Sequence, residues 1–201
     1  MKSIAKNNTK IASLTIATLF MLTALAVSAD AAPTVRPFSG KTSVELSDDF
    51  LGALGAFSIA PGTIRPGMLR GTVASFRING GGIDLGTLMG EISHVGGLTL
   101  TDENGTTVGL FNFTISLTDS VLTGLVTVNG DLVGRIPLFN LEPTADPKVK
   151  GIFLGLSDVL VTLTMDAAEA LNAVFDLTAF EEGFDIGVAN VKALTRYRQL
   201  N

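Results

Sequence analysis

The chain has 201 residues and a formal net charge of −5, with 46% hydrophobic and 16% charged residues. It contains no Cys, no Trp, one Tyr and one His. The lack of Cys excludes disulfides, thiol chemistry and Cys-ligated metals, and a single His leaves too few ligands for a zinc site. A low charged fraction with many apolar residues is typical of a packed β domain rather than a disordered chain.

Residues 1–31 have the pattern of a secretory signal peptide. Lys2, Lys6 and Lys10 give a positive start, an apolar run follows over 11–26, and small residues at 27–31 supply a cleavage site. The apolar run is shorter than the roughly 20 residues that span a bilayer comfortably. The sequence therefore predicts a secreted, periplasmic or cell-surface protein, with a retained anchor helix as the alternative.

The charge of the remaining chain limits the classes of partner that it can bind. Removing residues 1–31 takes away three Lys and one acid, which leaves 11 basic and 18 acidic residues and a net charge of −7. An acidic exported domain lacks the basic footprint that nucleic acid or anionic lipid requires. We therefore predict no nucleic-acid partner. Because the apolar run over 11–26 belongs to the signal peptide, we also predict no stable membrane span after signal removal. Residues 32–201 are long enough for one domain with its own core.

The first half of this domain predicts a strand, a short helix and a series of strands. An extended leader covers 32–40, a strand covers 41–46, and apolar residues recur at helical spacing over 47–57 after a Ser47 or Asp48 cap. Further strands are predicted over 68–78, 87–94, 98–101 and 107–118, with a break at the glycines of 79–82 and a turn at 102–105. Residues 107–118 alternate most clearly between apolar and polar, as in a strand with one buried face.

The second half opens on a hairpin signature. Asn129-Gly130 separates alternating strands over 122–128 and 131–138, and both turn residues of such a hairpin need positive φ. A polar loop over 142–147 precedes a strand at 159–165, a helix at 166–175, a strand at 186–194 and a basic tail at 196–201 that we expect to fray.

Residues 44–54 and 161–171 share one pattern of strand, cap and short helix, although convergence explains this as well as duplication. The predicted class is all-β, a sandwich-like domain of antiparallel hairpins with two short helices.

The sequence contains few residues that could form a catalytic site. No Ser stands in a nucleophile-elbow context, so a triad with the single His is not supported. The glycines at 80–82 and 96–97 lack phosphate-loop spacing and predict turns or bulges. Adjacent acids at 48–49 and 181–182 point apart on a helix or strand, which indicates solvated faces rather than an acid/base pair. We predict that the protein is not an enzyme.

His94 is the one candidate binding residue. It shares strand parity with Leu88, Gly90 and Ile92, which places it on the apolar face of its strand. One interpretation is a hydrogen-bonded core His. The other is a ligand or neighbouring residue in an apolar pocket, where a neutral imidazole can accept a hydrogen bond or coordinate a metal.

Residues 76–84 (FRINGGGID) and 87–102 (TLMGEISHVGGLTLTD) together resemble the HtaA-type domain of bacterial cell-surface haem-uptake proteins. Residues 134–141 and 161–172 are similar to its later strands and last helix, so the resemblance spans about 44–191. It implies a β-rich, sandwich-like fold with two short helices, and it matches His94 to the pocket His of the family.

The resemblance also implies haem, held in that family by an axial Tyr from the region of the first helix. Here that region, 47–57, offers Phe50 and Phe57 but no Tyr, and Tyr197 does not match the position. A Phe cannot ligate iron, so the resemblance predicts the architecture more than the cofactor.

Three functions remain open from the sequence. The first is a non-enzymatic surface or secreted module that takes no cofactor and binds a protein, a polymer or copies of itself. The second is a domain that binds haem or a small apolar ligand at His94. The third is an enzyme, for which the sequence supplies little material.

Overall fold

The computed structural model describes residues 33–197, so the predicted signal peptide at 1–31 lies outside the described residues. Twelve strands and two helices follow one another along this part of the chain. In order they are β1 (Thr34–Leu46), α1 (Asp48–Ala56), β2 (Ala60–Ile64), β3 (Met68–Arg70), β4 (Val73–Asp84), β5 (Gly90–Val95), β6 (Gly97–Thr101), β7 (Thr107–Ser116), β8 (Val121–Val128), β9 (Asp131–Pro143), β10 (Lys148–Lys150), β11 (Phe153–Leu163), α2 (Met165–Phe175) and β12 (Asp185–Tyr197).

Eight strands form a closed antiparallel barrel in the order β7-β5-β4-β1-β12-β11-β9-β8. β8 pairs back onto β7 from Val108↔Val128 to Ser116↔Val121, and this pairing joins the two ends of the sheet. The all-β class with two helices is as predicted, but the sandwich-like arrangement is wrong. Hairpin patterns fix which strands are neighbours, and only the β7–β8 pairing decides that the sheet closes on itself.

Four short strands extend the ring. β5 and β6 are two halves of one bent strand, because both pair with β7 and Gly96 turns the chain between them at a φ of 84°. β2 then pairs with β6, and β3 pairs with β4. β10 pairs with the first residues of β11. The predicted turns and bulges at the glycines of 96–97 thus shape the wall of the barrel.

The two helices lie at one end of the barrel, which we call the helix end. Each follows a strand that runs antiparallel to β12, so β1 and β11 point the same way. Ser47 caps α1 by accepting a hydrogen bond from the Phe50 N–H at 3.0 Å, and Thr164 caps α2 by accepting from the Ala167 N–H at 3.2 Å. Both predicted helices are confirmed, and the similarity of 44–54 to 161–171 corresponds to a strand and a capped helix in each case.

Several predicted boundaries were wrong for local reasons. The glycines of 79–82 do not break β4, because a bulge after Ile78 absorbs the irregularity and the strand runs on to Asp84. The strand predicted over 68–78 is divided into β3 and β4 where Gly71 takes a φ of 60°. The strand predicted from residue 87 starts at Gly90, since Leu88 has a φ of 58°.

Both ends of the domain are more regular than predicted, and its central hairpin is as predicted. β1 includes most of the predicted leader, and β12 includes Tyr197, the last described residue of the tail that we expected to fray. The hairpin at Asn129 and Gly130 is confirmed, with φ values of 52° and 92°. Inward side chains of the barrel strands, Phe50 and Leu54 of α1 and Leu171 of α2 form one hydrophobic core.

Candidate functional site

His94 lies inside the barrel, on the face that its strand parity predicts. Its side chain is 4% exposed, and Ile92, two residues earlier on β5, is fully buried. Leu88, which the same parity included, belongs to the turn before β5. The inward position follows from strand alternation alone, because β5 is paired on both sides and has one face toward the core.

Two hydrogen bonds define the state of the imidazole. Nδ1 lies 3.3 Å from the main-chain oxygen of Phe113, and Nε2 lies 2.7 Å from Oγ1 of Thr42. A carbonyl oxygen can only accept, so Nδ1 carries the proton and donates to Phe113. Nε2 is then the acceptor, and the Thr42 hydroxyl donates to it. The ring is neutral with both nitrogens satisfied.

Burial lowers the pKa of His94 to about 4, although hydrogen bonds to the main chain at Phe113 and Ile92 act in the opposite direction. Desolvation dominates because a charged imidazolium loses its hydration inside the barrel. His94 is therefore neutral at physiological pH, and its acceptor nitrogen is occupied by the Thr42 hydroxyl.

A cavity of about 270 Å³ extends from His94 toward the end of the barrel opposite the helices, which we call the open end. Its wall is mainly apolar and comes from most strands of the ring. Residues that line it include Phe76, Phe113, Leu122, Leu156 and Val191. Ligand pockets in proteins are typically concave and apolar with a small number of oriented polar groups, and the Thr42–His94 pair is such a group here.

Loops at the open end complete the cavity. The turn before β5 contributes Thr87, Leu88 and Met89, and the Met89 side chain is 51% exposed. Asp84 holds this turn by accepting hydrogen bonds from the main-chain N–H groups of Gly86 and Thr87 at 2.8 and 2.9 Å. These hydrogen bonds lower the pKa of the Asp84 carboxyl, and the one from Thr87 has the larger effect. The carboxylate thus orders the loop that carries the exposed rim of the cavity.

A second cavity, of about 170 Å³, lies between α2 and the strands at the helix end. Its lining is almost purely apolar and includes Leu110, Val126, Leu138 and Leu171. No side chain there supplies a nitrogen, oxygen or sulfur atom that could orient a ligand or hold a metal. The cavity at His94 is therefore the better candidate site.

The other residues that the sequence analysis considered as candidates for a site do not line the cavity at His94. Between residues 33 and 197, no cluster of three or more His, Asp or Glu side chains could hold a metal ion. Asp48 and Asp49 lie in the first turn of α1, and Glu181 and Glu182 are exposed after α2. Tyr197 is 58% exposed at the end of β12 and lines neither cavity.

Thr42 is the site residue that the sequence analysis missed. Its signal was available, because Thr42 lies two and four residues before Val44 and Leu46 on one strand and therefore faces the core with them. A buried hydroxyl needs a hydrogen-bond partner, so a Thr at that position predicts a polar group opposite. The sequence could not identify that polar group as His94. The two side chains meet because β1 pairs with β4 and β4 pairs with β5, and these strands are separated along the chain.

Within the described part of the chain, neither helix is long and apolar enough to cross a membrane.

Comparison with known proteins places the fold. No family profile matches the chain, and no curated protein matches it in sequence. Among solved structures, the chain is similar to the C-terminal domain of HtaA from Corynebacterium glutamicum, with a TM-score of 0.64 and 16% identity over 81% of this chain and 99% of that one.

Two further structures from the same organism agree. The N-terminal domain of HtaA matches with a TM-score of 0.54 and 10% identity, and the haem-binding protein HtaB matches with 0.53 and 11%. Each alignment covers 82% of this chain and 97% of the other. At sequence identities this low, the structural matches establish a shared fold and no more. The resemblance to the HtaA-type domain is confirmed at the level of the fold.

Proposed function

We propose that this domain is an exported, non-enzymatic binding protein that holds a small apolar ligand in the barrel cavity beside His94. One observation carries the proposal: an apolar cavity of about 270 Å³ has one buried, hydrogen-bonded polar pair in its wall, Thr42 and His94, and reaches the surface beside Met89. Its other polar side chains are not buried; they are Thr87, Ser116, Ser120 and Asp146. Apolar walls favour a ligand that leaves water. The Thr42 hydroxyl donates its hydrogen to His94 and keeps lone pairs that can accept a hydrogen bond from the ligand and orient it.

The surroundings of His94 support a binding role rather than a catalytic one. General acid–base catalysis is most efficient when the pKa of the group is near the working pH, and burial keeps the pKa of His94 at about 4. Its hydrogen bonds go to a hydroxyl and a main-chain carbonyl rather than to a carboxylate. The group therefore suits recognition better than proton transfer.

A matched pair of substitutions tests the cavity. Ala189 lines the cavity at His94, and Ala170 lines the cavity at the helix end. Ala189→Leu fills the first and Ala170→Leu fills the second with the same added volume. We expect the fluorescence enhancement of an apolar dye, anilinonaphthalene sulfonate, to fall strongly in Ala189→Leu and to persist in Ala170→Leu. Equal dye binding by both variants would contradict the proposal.

Haem is a second candidate, favoured by the shared fold with the haem-binding protein HtaB. The buried polar pair of the cavity does not supply haem with a free iron ligand, and the thioether of Met89 lies at the exposed rim. The site has no Tyr, and Nε2 of His94 already accepts the Thr42 hydroxyl at 2.7 Å. Coordination by His94 would therefore have to replace that hydrogen bond.

A haemin titration followed by absorbance separates these possibilities. If Nε2 ligates the iron, His94→Ala removes the shift of the Soret band, and Thr42→Val strengthens binding because it frees Nε2. If haemin binds only as an apolar ring, both variants keep most of the affinity and Ala189→Leu loses it. A titration with no saturable change excludes haem and leaves the apolar-ligand proposal to the dye experiment.

A further inference from the structure

The outer surface of the barrel carries an uneven distribution of charge. Residues 33–197 hold ten basic and 18 acidic side chains. Seven of the ten basic residues are exposed on a contiguous set of strands, β4, β1, β12 and β10, with β11 between the last two. We call this surface the cationic face; its basic residues are Arg36, Lys41, Arg77, Lys148, Lys150, Lys192 and Arg196.

Strand register aligns four of these cations in one row. Lys41 pairs with Arg77 on one side and with Lys192 on the other. Lys192 pairs with Gly155, which in turn pairs with Lys148. Adjacent strands are about 4.8 Å apart, so three cations occupy neighbouring positions and the fourth follows one strand further. Like charges directly opposite one another destabilise a sheet, so folding alone does not favour this row.

Apolar side chains are exposed among the cations. Phe153, Ile152 and Phe38 are 61%, 51% and 41% exposed. Phe153 pairs with Leu194 on β12, and the guanidinium carbon of Arg196 lies 4.6 Å above the centre of the Phe38 ring. Between Lys148, Lys150 and Lys192, the small Gly155 leaves a shallow groove of about 450 Å³. Large apolar side chains that are exposed beside one another are typical of an interaction surface.

Acidic residues border this face without entering the row. Glu45 is four residues along β1 from Lys41, Asp146 precedes Lys148 by two residues, and Asp158 lies at the bulge of β11. The positions paired with Lys41 and Lys192 contain no acid. At physiological salt, charges further away than about 8 Å are largely screened, so the local row rather than the net charge governs a close contact.

We propose that the cationic face binds the surface of an anionic lipid bilayer. From the net charge we predicted no affinity for anionic lipid. The fold, however, places seven of the ten basic residues on one face of a domain that is acidic as a whole. Cations beside exposed Phe and Ile side chains match a lipid interface, where headgroups carry negative charge and the acyl boundary accepts apolar groups. A soluble polyanion would use the cations alone and would leave the exposed apolar side chains without a role. The proposal does not rest on the cavity, which opens at the end of the barrel, where Asp146 and Pro147 line it directly before β10.

Vesicle sedimentation with matched variants of the full chain tests the proposal. Lys148→Glu/Lys192→Glu reverses two cations of the row, and Arg65→Glu/Arg70→Glu makes the same change of net charge at two exposed residues outside it. Because every variant keeps residues 1–32, differences between variants report on the barrel. The vesicles are phosphatidylglycerol mixed with phosphatidylcholine, and phosphatidylcholine alone.

We expect the row variant to lose at least about tenfold in affinity for the anionic vesicles, and the control to stay near the wild type. Phe153→Ser should weaken binding to the anionic vesicles without changing its dependence on salt. Equal losses in both charge variants, or no preference for anionic vesicles in the wild type, would overturn the proposal. Binding to soluble polyphosphate that the row variant abolishes, with vesicle binding unchanged, would assign the face to a polyanion instead. Thermal unfolding by circular dichroism shows whether each variant is folded.

Discussion

The Thr42 hydroxyl donates a hydrogen bond to Nε2 of His94 across 2.7 Å, although 52 residues separate the two along the chain. Both side chains are buried, at 3% and 4% exposure, among apolar neighbours. Each satisfies a polar atom of the other in the wall of the apolar cavity. Burial keeps the imidazole neutral, and the Thr42 hydroxyl occupies its acceptor nitrogen, so this pair determines which atom a ligand would meet.

Removing the hydroxyl should therefore destabilise the protein. Thr42→Val keeps the shape of the side chain and leaves Nε2 without a donor, which should lower the free energy of unfolding by about 1–3 kcal/mol. Thr42→Ser retains the hydroxyl and should keep the hydrogen bond, with only the smaller loss of one methyl group. Urea unfolding at neutral pH measures both. If Thr42→Val is as stable as Thr42→Ser, the hydrogen bond contributes nothing.

The lowered pKa of His94 predicts a dependence of stability on pH. The pKa is about 4 in the folded protein and 6.5 for an unperturbed His, so the unfolded state binds more protons between these values. Stability is therefore fully present above about pH 6.5 and is lost as the pH falls toward 4. From pH 7 to pH 5 we expect a loss of about 2 kcal/mol from this group.

Unfolding free energies of the wild type and of His94→Gln at pH 7, 6 and 5 measure this contribution. Gln is polar but does not titrate in this range, so the variant should lose that part of the pH dependence. Carboxylates contribute equally to both proteins above pH 5. Parallel curves for the two proteins would show that His94 does not carry the effect.

Gly81 should not tolerate a side chain, whereas its neighbour Gly80 should. Gly81 has a φ of 135°, and a Cβ there would collide with the main-chain oxygen of Glu91 on the paired strand. A Cβ on Gly80 meets nothing within 4 Å. We expect Gly81→Ala to destabilise the protein by at least about 2 kcal/mol and Gly80→Ala to change stability by less than about 1 kcal/mol. Thermal unfolding compares them, and equal stability would mean that β4 does not approach β5 so closely.

Local sequence patterns predicted most of the elements because they depend on neighbouring residues. Ser47 and the spacing of Phe50 and Leu54 indicated α1, and Asn129-Gly130 indicated the β8–β9 hairpin. Short strands with weak patterns were missed. β2 contains Pro61 and Gly62, and β10 has three residues, so neither offers enough alternation to recognise.

By itself, the sequence determined the β class, the two helices and the inward direction of His94, because alternation and capping act over a few residues. Only the tertiary structure decided the closure of the barrel, the partnership of His94 with Thr42 and the alignment of Lys41, Arg77 and Lys192. All three depend on which distant strands pair and in what register. Period-two alternation fixes the face of a strand on which a residue lies, but it contains no information on the strand that lies beside it.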